Sequence, residues 1–243
     1  MRQTKSHLVR KLQRGATLCS TDMARLDDLT RVARLVAPGV DLVQEEDRPR
    51  RVHVVTEGVA CRYRHLPDGR RAIVGLMLPG DFCDLHMSVL GHVDHAIGTL
   101  VPSRIARVDA TEVLALVDAS SGISRACWWA SLVEESILRE WLVNVGRRPS
   151  IQQVTHLFCE LHARLRAVGL GGETSFELPF TQPVIADLLG ISPVHVQRVL
   201  RSMRNQGLIT LQARRITFPD YDVAAEFAHF DPGYLHLDGA PHR

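Results

Sequence analysis

Apolar residues between Thr181 and Phe218 recur first at helical spacing and then at strand spacing, with turn residues at the changeovers. Val184, Ile185, Leu188 and Leu189 share one face of a helix that Thr181 can cap. Gly190 tolerates positive φ and breaks that helix, and Ser192-Pro193 opens a second one with a capping hydroxyl and a proline at the first helical position. Val196, Val199, Leu200 and Met203 form its inner face, and Gly207 ends it. Leu208–Leu211 and Ile216–Phe218 then alternate as strands around the basic turn Ala213-Arg214-Arg215. The pattern predicts a helix-turn-helix followed by a wing, the first being a motif that places its second helix in the DNA major groove. A helical hairpin with a solvated basic face is the blander alternative.

Upstream the periodicity changes. Met23, Leu26, Leu29, Val32 and Leu35 predict an amphipathic helix over 20–36, with Ser20, Thr21 and Asp22 as its cap cluster. From Asp41 to Val117, short apolar runs are separated by Gly, Pro and Asp. Val52–Val54, Val59–Tyr63, Ala72–Leu76 and Ile105–Arg107 read as strands, with turns at Pro67-Asp68-Gly69 and Pro79-Gly80. Many short strands without long intervening helices predict an antiparallel barrel or jelly roll.

From Ser124 to Val145 the pattern is helical again, and Trp129, Val133, Ile137 and Trp141 repeat every four residues. That stripe suits either intramolecular core or a helix packed on its twin. Because helix-turn-helix proteins commonly pair to read two half-sites, those four residues are candidates for a homodimer interface. Pro149 interrupts the helix, and Ser150 is a candidate cap for a further amphipathic helix through Ile151, Val154, Leu157, Phe158, Leu161 and Leu165. The fold class expected is α+β: an antiparallel β-roll over 1–122, a dimerisation helix over 123–146, and a winged helix-turn-helix over 147–243.

Charge sharpens this division. The chain carries a formal +2, yet from Arg147 to Arg215 nine arginines and no lysine face four acids, a local excess of five that leaves −3 on the remainder. Positive charge collects where a polyanion would bind. Five scattered cysteines, with no CxxC pair, point to buried free thiols rather than a zinc ribbon or iron–sulfur cluster. The chain has no run of eighteen apolar residues, and its N-terminus lacks a signal-peptide core, so a cytoplasmic protein without a membrane partner is expected. It has no GxSxG, P-loop or other catalytic constellation, so an enzyme is not expected.

LPDGRRAIVGLMLPGDF (66–82) and LLGISPVHVQRVLRSMRNQGLI (188–209) together resemble the Crp/Fnr family of bacterial transcription regulators, over roughly residues 20–220. The resemblance implies a homodimer on a palindromic DNA site, switched by a signal received in a cyclic-nucleotide-binding-like β-roll. An activator of this family would also need RNA polymerase as a partner, and no pattern here marks a surface for it. On the same match Thr181 and Ser192 fall at phosphate-contacting positions, with Gln182 and Pro193 beside them. Val194, His195, Gln197 and Arg198 fall on the base-facing part of the second helix. Arg198 matches the recurrent base-reading arginine, while Arg201, Arg204 and the wing's Arg214 are placed for phosphates.

Two departures stand out. Where the family often has a base-reading glutamate, this chain has Val194, so its half-site should differ. Cyclic-nucleotide-binding members carry a Gly-Glu segment and an Arg-Ser pair that hold the ribose and phosphate. Here Gly80-Asp81 survives, followed by Phe82 and Cys83, but Asp94-His95 stands where Arg-Ser would be. Those six residues are the candidate effector pocket, and an anion beside a cyclic phosphate is repulsive, so cyclic AMP is not the expected effector. The Cys83/His86/His92/His95 loop could instead supply metal or haem ligands, or be a loop of surface histidines with a buried cysteine. A signalling module with a protein partner in place of DNA is a further alternative.

Overall fold

The computed structural model describes residues 5–239 except 46, 49 and 91. The chain divides into two compact units, the first holding residues up to Arg64, Ile73–Glu135 and the segment from His236, the second His65–Ala72 and Ser136–Leu235. The first unit begins with α1 (His7–Leu12) and α2 (Ser20–Thr30). Its strands make two antiparallel sheets. One has the order β1 (Ala33–Val36), β7 (Ser103–Asp109), β3 (Arg51–Glu57). The other runs β2 (Asp41–Val43), β6 (Ala96–Thr99), β4 (Ala60–His65), β5 (Arg71–Met77), and the tip of the β4–β5 hairpin is counted with the second unit.

β3 and β7 are buried on both faces, which is why β3 reads as a run of apolar residues rather than an alternation. Val55 and Ile105 point into the core with Val36, Val43, Met77, Cys83 and Ile97. Val52, Val54, Ala106 and Val108 pack on the opposite side against Leu8, Val9 and Leu12 of α1 and Leu26 and Leu29 of α2. Ile123, Ala126 and Cys127, from the start of the long helix described below, join that second cluster.

The helix expected over 20–36 is shorter. It ends at Thr30, and Ala33–Val36 pair with Ser103–Ala106 as β1, leaving Val32 and Leu35 outside at 72% and 70% exposure. Strand pairing across about seventy residues of sequence overrides the local i, i+3 spacing there. The cap is also one residue earlier: the Cys19 sulfur accepts from Asp22 N while Asp22 Oδ2 accepts from Cys19 N, a capping box built on a thiol. Cys19 is accordingly exposed, whereas the other four cysteines are buried thiols as expected. Two helices lie inside the stretch that reads as strands alone, α3 (Met87–Leu90) and α4 (Ala110–Ala119), the latter capped by Asp109 on Thr111 N at 3.0 Å.

The long helix α5 (Ser121–Arg147) passes from the first unit into the second. There follow α6 (Ser150–Ala167), β8 (Ser175–Glu177), α7 (Gln182–Leu189), α8 (Pro193–Asn205), β9 (Thr210–Gln212), β10 (Arg215–Thr217), α9 (Tyr221–Ala228) and a 3-10 turn at Pro232–Leu235. Pro149, not Ser150, is the N-cap of α6, and it makes no side-chain cap bond. The three strands form a small antiparallel sheet in the order β8-β10-β9. Phe158 of α6 and Phe176 and Phe218 around the sheet are fully buried. His162 lies against both phenylalanines of the sheet and against Tyr221.

Behind this core Glu160, fully buried, accepts from Trp141 Nε1 at 2.9 Å and Tyr234 Oη at 2.8 Å, and pairs with Arg164 at 3.0 Å. One carboxylate thus joins α5, α6 and the C-terminal turn. Its charge is met by an arginine and two hydrogen-bond donors, the condition under which a buried ion is tolerated.

Candidate DNA interface

Helix α7 starts at Thr181, whose carbonyl accepts from Val184 N at 3.1 Å while its side chain makes no cap bond. Gly190 ends α7 at φ +66, a left-handed conformation that costs glycine little. Two residues on, the Ser192 hydroxyl caps α8 by accepting from His195 N at 3.2 Å, and Pro193 occupies the first helical position. Val196, Val199, Leu200 and Met203 are buried, fixing which side of α8 faces out. Of the expected reading residues, Val194, Gln197, Arg198, Arg201 and Arg204 are exposed on that outer side and His195 is half-buried. Gln182 and Pro193 are exposed at the helix starts beside Thr181 and Ser192. Among the described residues the three arginines form no ion pair, so their guanidinium groups stand in solvent.

The wing divides its two arginines. Ala213 and Arg214 sit at positive φ, +44 and +74, in the tight turn between β9 and β10. The Arg214 guanidinium reaches back to the Pro179 carbonyl at 2.6 Å and the Leu178 carbonyl at 3.3 Å. Arg214 therefore ties the wing to the loop that leads into α7. Its neighbour Arg215 is exposed and forms no ion pair among the described residues, so it is the wing arginine open to a phosphate. The sequence offers no way to rank two adjacent arginines; only the turn geometry does.

On α5 the four-residue stripe expected at an interface is turned inward. Val133 is 5% exposed, and Trp129, Ile137 and Trp141 are half-buried within their own chain. The outward stripe is its neighbour: Trp128 at 68%, Leu132 at 53% and Leu142 at 72% exposure, with Glu135, Arg139 and Gly146 between and beyond them. Those six positions alternate steps of four and three, the seam spacing of a coiled coil. Three of those six positions are apolar. On the inward side the start of α5 is held by the β-roll core through Ile123, Ala126 and Cys127, and Trp141 further along donates to Glu160.

The candidate effector residues are engaged by their own chain. Gly80, at φ +95, lies so close to α1 that an added Cβ would come within 2.6 Å of the His7 carbonyl. Asp81 pairs with Lys11 of α1 and accepts from Leu78 N at 3.1 Å. Phe82 and Cys83 are buried, and burial together with the neighbouring Asp84 charge pushes the Cys83 thiol well up. Asp94 points into solvent and accepts from His95 Nδ1 at 2.7 Å, which holds its carboxyl below the usual range.

Arg62 of β4 donates to the Cys83 carbonyl at 2.8 and 2.6 Å and pairs with Glu134 of α5, fastening this segment to the helix. His53 and Asp84 form a buried pair at 2.7 Å. The histidine loop is not gathered as a ligand set: His92 is exposed on the Leu90 carbonyl, His86 and His95 lie 5.6 Å apart by ring centre, and Cys83 is enclosed in the core. Among the described residues no three His, Cys, Asp or Glu side chains converge as metal ligands.

A β-roll followed by a long helix and a winged helix-turn-helix defines a class of two-part regulators. Residues 33–120 match the cyclic nucleotide-binding domain family, and residues 152–223 match the Crp-like helix-turn-helix domain. The chain is 30% identical over 202 residues to the nitrogen fixation regulation protein FixK of Bradyrhizobium diazoefficiens, covering 82% of this chain and 84% of that one. It is 26% identical over 200 residues to the transcriptional activator protein FnrL of Cereibacter sphaeroides, covering 81% and 79%. The solved structure of FixK2 from Bradyrhizobium japonicum superposes with a TM-score of 0.71 at 21% identity, covering 87% of this chain and all of that one. The chain belongs to the Crp/Fnr family of transcription regulators. No helix among its described residues is long and apolar enough to cross a membrane.

Proposed function

We propose that the chain is a sequence-specific DNA-binding regulator that acts as a homodimer on a palindromic site. The carrying observation is α8, with its buried face fixed by four apolar residues and its outer face carrying Gln197, Arg198, Arg201 and Arg204 without ion-pair partners among the described residues. On this reading Arg198 takes guanine O6 and N7, Gln197 pairs with adenine, and Arg201, Arg204 and Arg215 meet phosphates. Thr181, Gln182 and Ser192 line the helix starts facing the backbone. The dimer forms along the α5 seam of Trp128, Leu132 and Leu142, whose exposure leaves apolar surface that a second copy would cover. The β-roll receives the controlling signal, and the paired Asp81 and solvent-facing Asp94 speak against a cyclic phosphate there.

The test is a gel shift against the protein's own upstream region, repeated across salt, alongside sedimentation. A palindromic fragment retained over random DNA, by a dimer, supports the proposal. Equal retention of all fragments, or specific binding by a monomer, overturns it.

A further inference from the structure

Between residues 150 and 235, Val194 is the most exposed large apolar side chain, at 65%. Its place on α8 makes that exposure informative. At about 100° per residue, the buried residues Val196, Val199, Leu200 and Met203 centre on a direction about 170° away from Val194. Gln197, Arg198, Arg201 and Asn205 all lie within about 60° of it. The outermost point of the polar face is therefore occupied by two methyl groups. Val194 is also the second helical residue, one turn ahead of Gln197 and Arg198, at the end of a recognition helix that approaches base edges.

We propose that Val194 reads a C5-methyl group in the major groove, so that each half-site carries a thymine beneath the N-terminal end of α8. This rests on the DNA-binding reading above and adds the chemistry of one base to it. A valine side chain has no donor or acceptor, and the only apolar feature on the major-groove edge of the four bases is the thymine C5-methyl. Set against cytosine N4 or adenine N6, the same side chain would bury an amino group without a partner, which disfavours those bases. 5-Methylcytosine carries the same methyl on the same carbon, so the contact would tolerate cytosine at that position once it is methylated.

The experiment uses the full-length protein and a duplex enriched from a random pool. Each thymine is replaced singly by uracil, which deletes the methyl and leaves every hydrogen-bonding group in place. One thymine per half-site should then matter: its loss weakens binding about fourfold, and loss in both half-sites about fifteenfold. Val194→Ala should bind the thymine and uracil duplexes alike. Val194→Thr, which keeps one methyl, should retain partial sensitivity. Replacing the critical thymine by cytosine should weaken wild-type binding, and 5-methylcytosine should recover part of the loss.

An enriched site indifferent to uracil at every thymine overturns this proposal alone. So does a Val194→Ala variant, folded by circular dichroism, that keeps the wild-type discrimination. A pool that yields no enriched sequence overturns the regulator reading together with it.

Discussion

On α8, Arg198, Arg201 and Arg204 extend into solvent without an ion-pair partner among the described residues. In the β-roll, Arg62 folds inward to the Cys83 carbonyl and Glu134, while Lys11 closes on Asp81. The same residue type does opposite work in the two regions. An unpaired guanidinium keeps its hydrogen-bonding capacity for a partner outside the chain, whereas a paired one sets the geometry of its own surroundings. The wing repeats the contrast over two adjacent positions, with Arg214 bound to the Leu178 and Pro179 carbonyls and Arg215 open. Charge alone therefore does not identify a nucleic-acid contact; on the proposed reading, the candidates are the arginines on α8 and the wing that have no internal partner among the described residues.

The largest effect that could break this contrast lies on α5, where a buried stripe and an exposed one run side by side. Val133→Glu puts an unpaired carboxylate at a site only 5% exposed and should cost more than about 3 kcal/mol of stability, seen as loss of the folding transition. Leu132→Glu with Leu142→Glu, one stripe over, should leave the fold intact and convert a dimer to a monomer by sedimentation. If the outer pair unfolds the protein while Val133→Glu is tolerated, the assignment of the two stripes is reversed.

Next in size, Arg198→Ala should lose about 1–3 kcal/mol per half-site on the cognate palindrome and relax selectivity at one base pair of each half-site, measured by competition among single-base variants. An equal loss on cognate and random DNA would move Arg198 to the phosphates.

His156 gives a pH test of the α5–α6 packing. It is buried beside Tyr234 and Phe230, and Glu140 Oε1, 3.2 Å from its Nε2, is bonded to Arg148 at 2.7 Å instead. Burial, aided by Arg148, lowers its pKa to about 3. The unfolded chain takes up a proton below about pH 6.5, where the folded one does not. Stability is therefore full above that pH and falls as pH drops towards 3, by at most about 1.4 kcal/mol per pH unit. The wild type should lose stability faster between pH 6.5 and 5 than His156→Phe in urea unfolding; parallel curves would contradict a neutral buried imidazole.

The smallest effect separates the wing arginines. Arg215→Ala should weaken all DNA sequences alike and reduce the slope of log affinity against log salt by about 0.9 per protomer, about 1.8 for the dimer. Arg214→Ala should lower the melting temperature of the free protein, because it frees two carbonyls, and change that slope less.

The reading unit was legible because its signals are local. A cap, a glycine turn, a second cap and a buried face lie within thirty residues, and each bond that realises them joins near neighbours. The β-roll was legible only as a class. β1, β2 and β6 are three or four residues long and exist through pairing with distant strands, so their own residues carry little signal. The α5 stripe is visible in the sequence, but its direction depends on what the rest of the fold packs against it, which no periodicity encodes. The Cys19 cap and the Arg214 tether are not legible in the sequence for a related reason, since thiols seldom cap and a turn arginine reads as solvated. Tyr234, which completes the Glu160 site, lies beyond the last element the pattern marks.

The central claim is that the unpaired arginine face of α8 reads DNA sequence. Its most direct test is the affinity ratio between an enriched palindrome and random duplex, measured for wild-type protein at salt from about 50 to 200 mM. The prediction is a ratio of about a thousandfold or more, with both affinities falling linearly on logarithmic axes as salt rises. Equal affinities with no dependence on salt would contradict it.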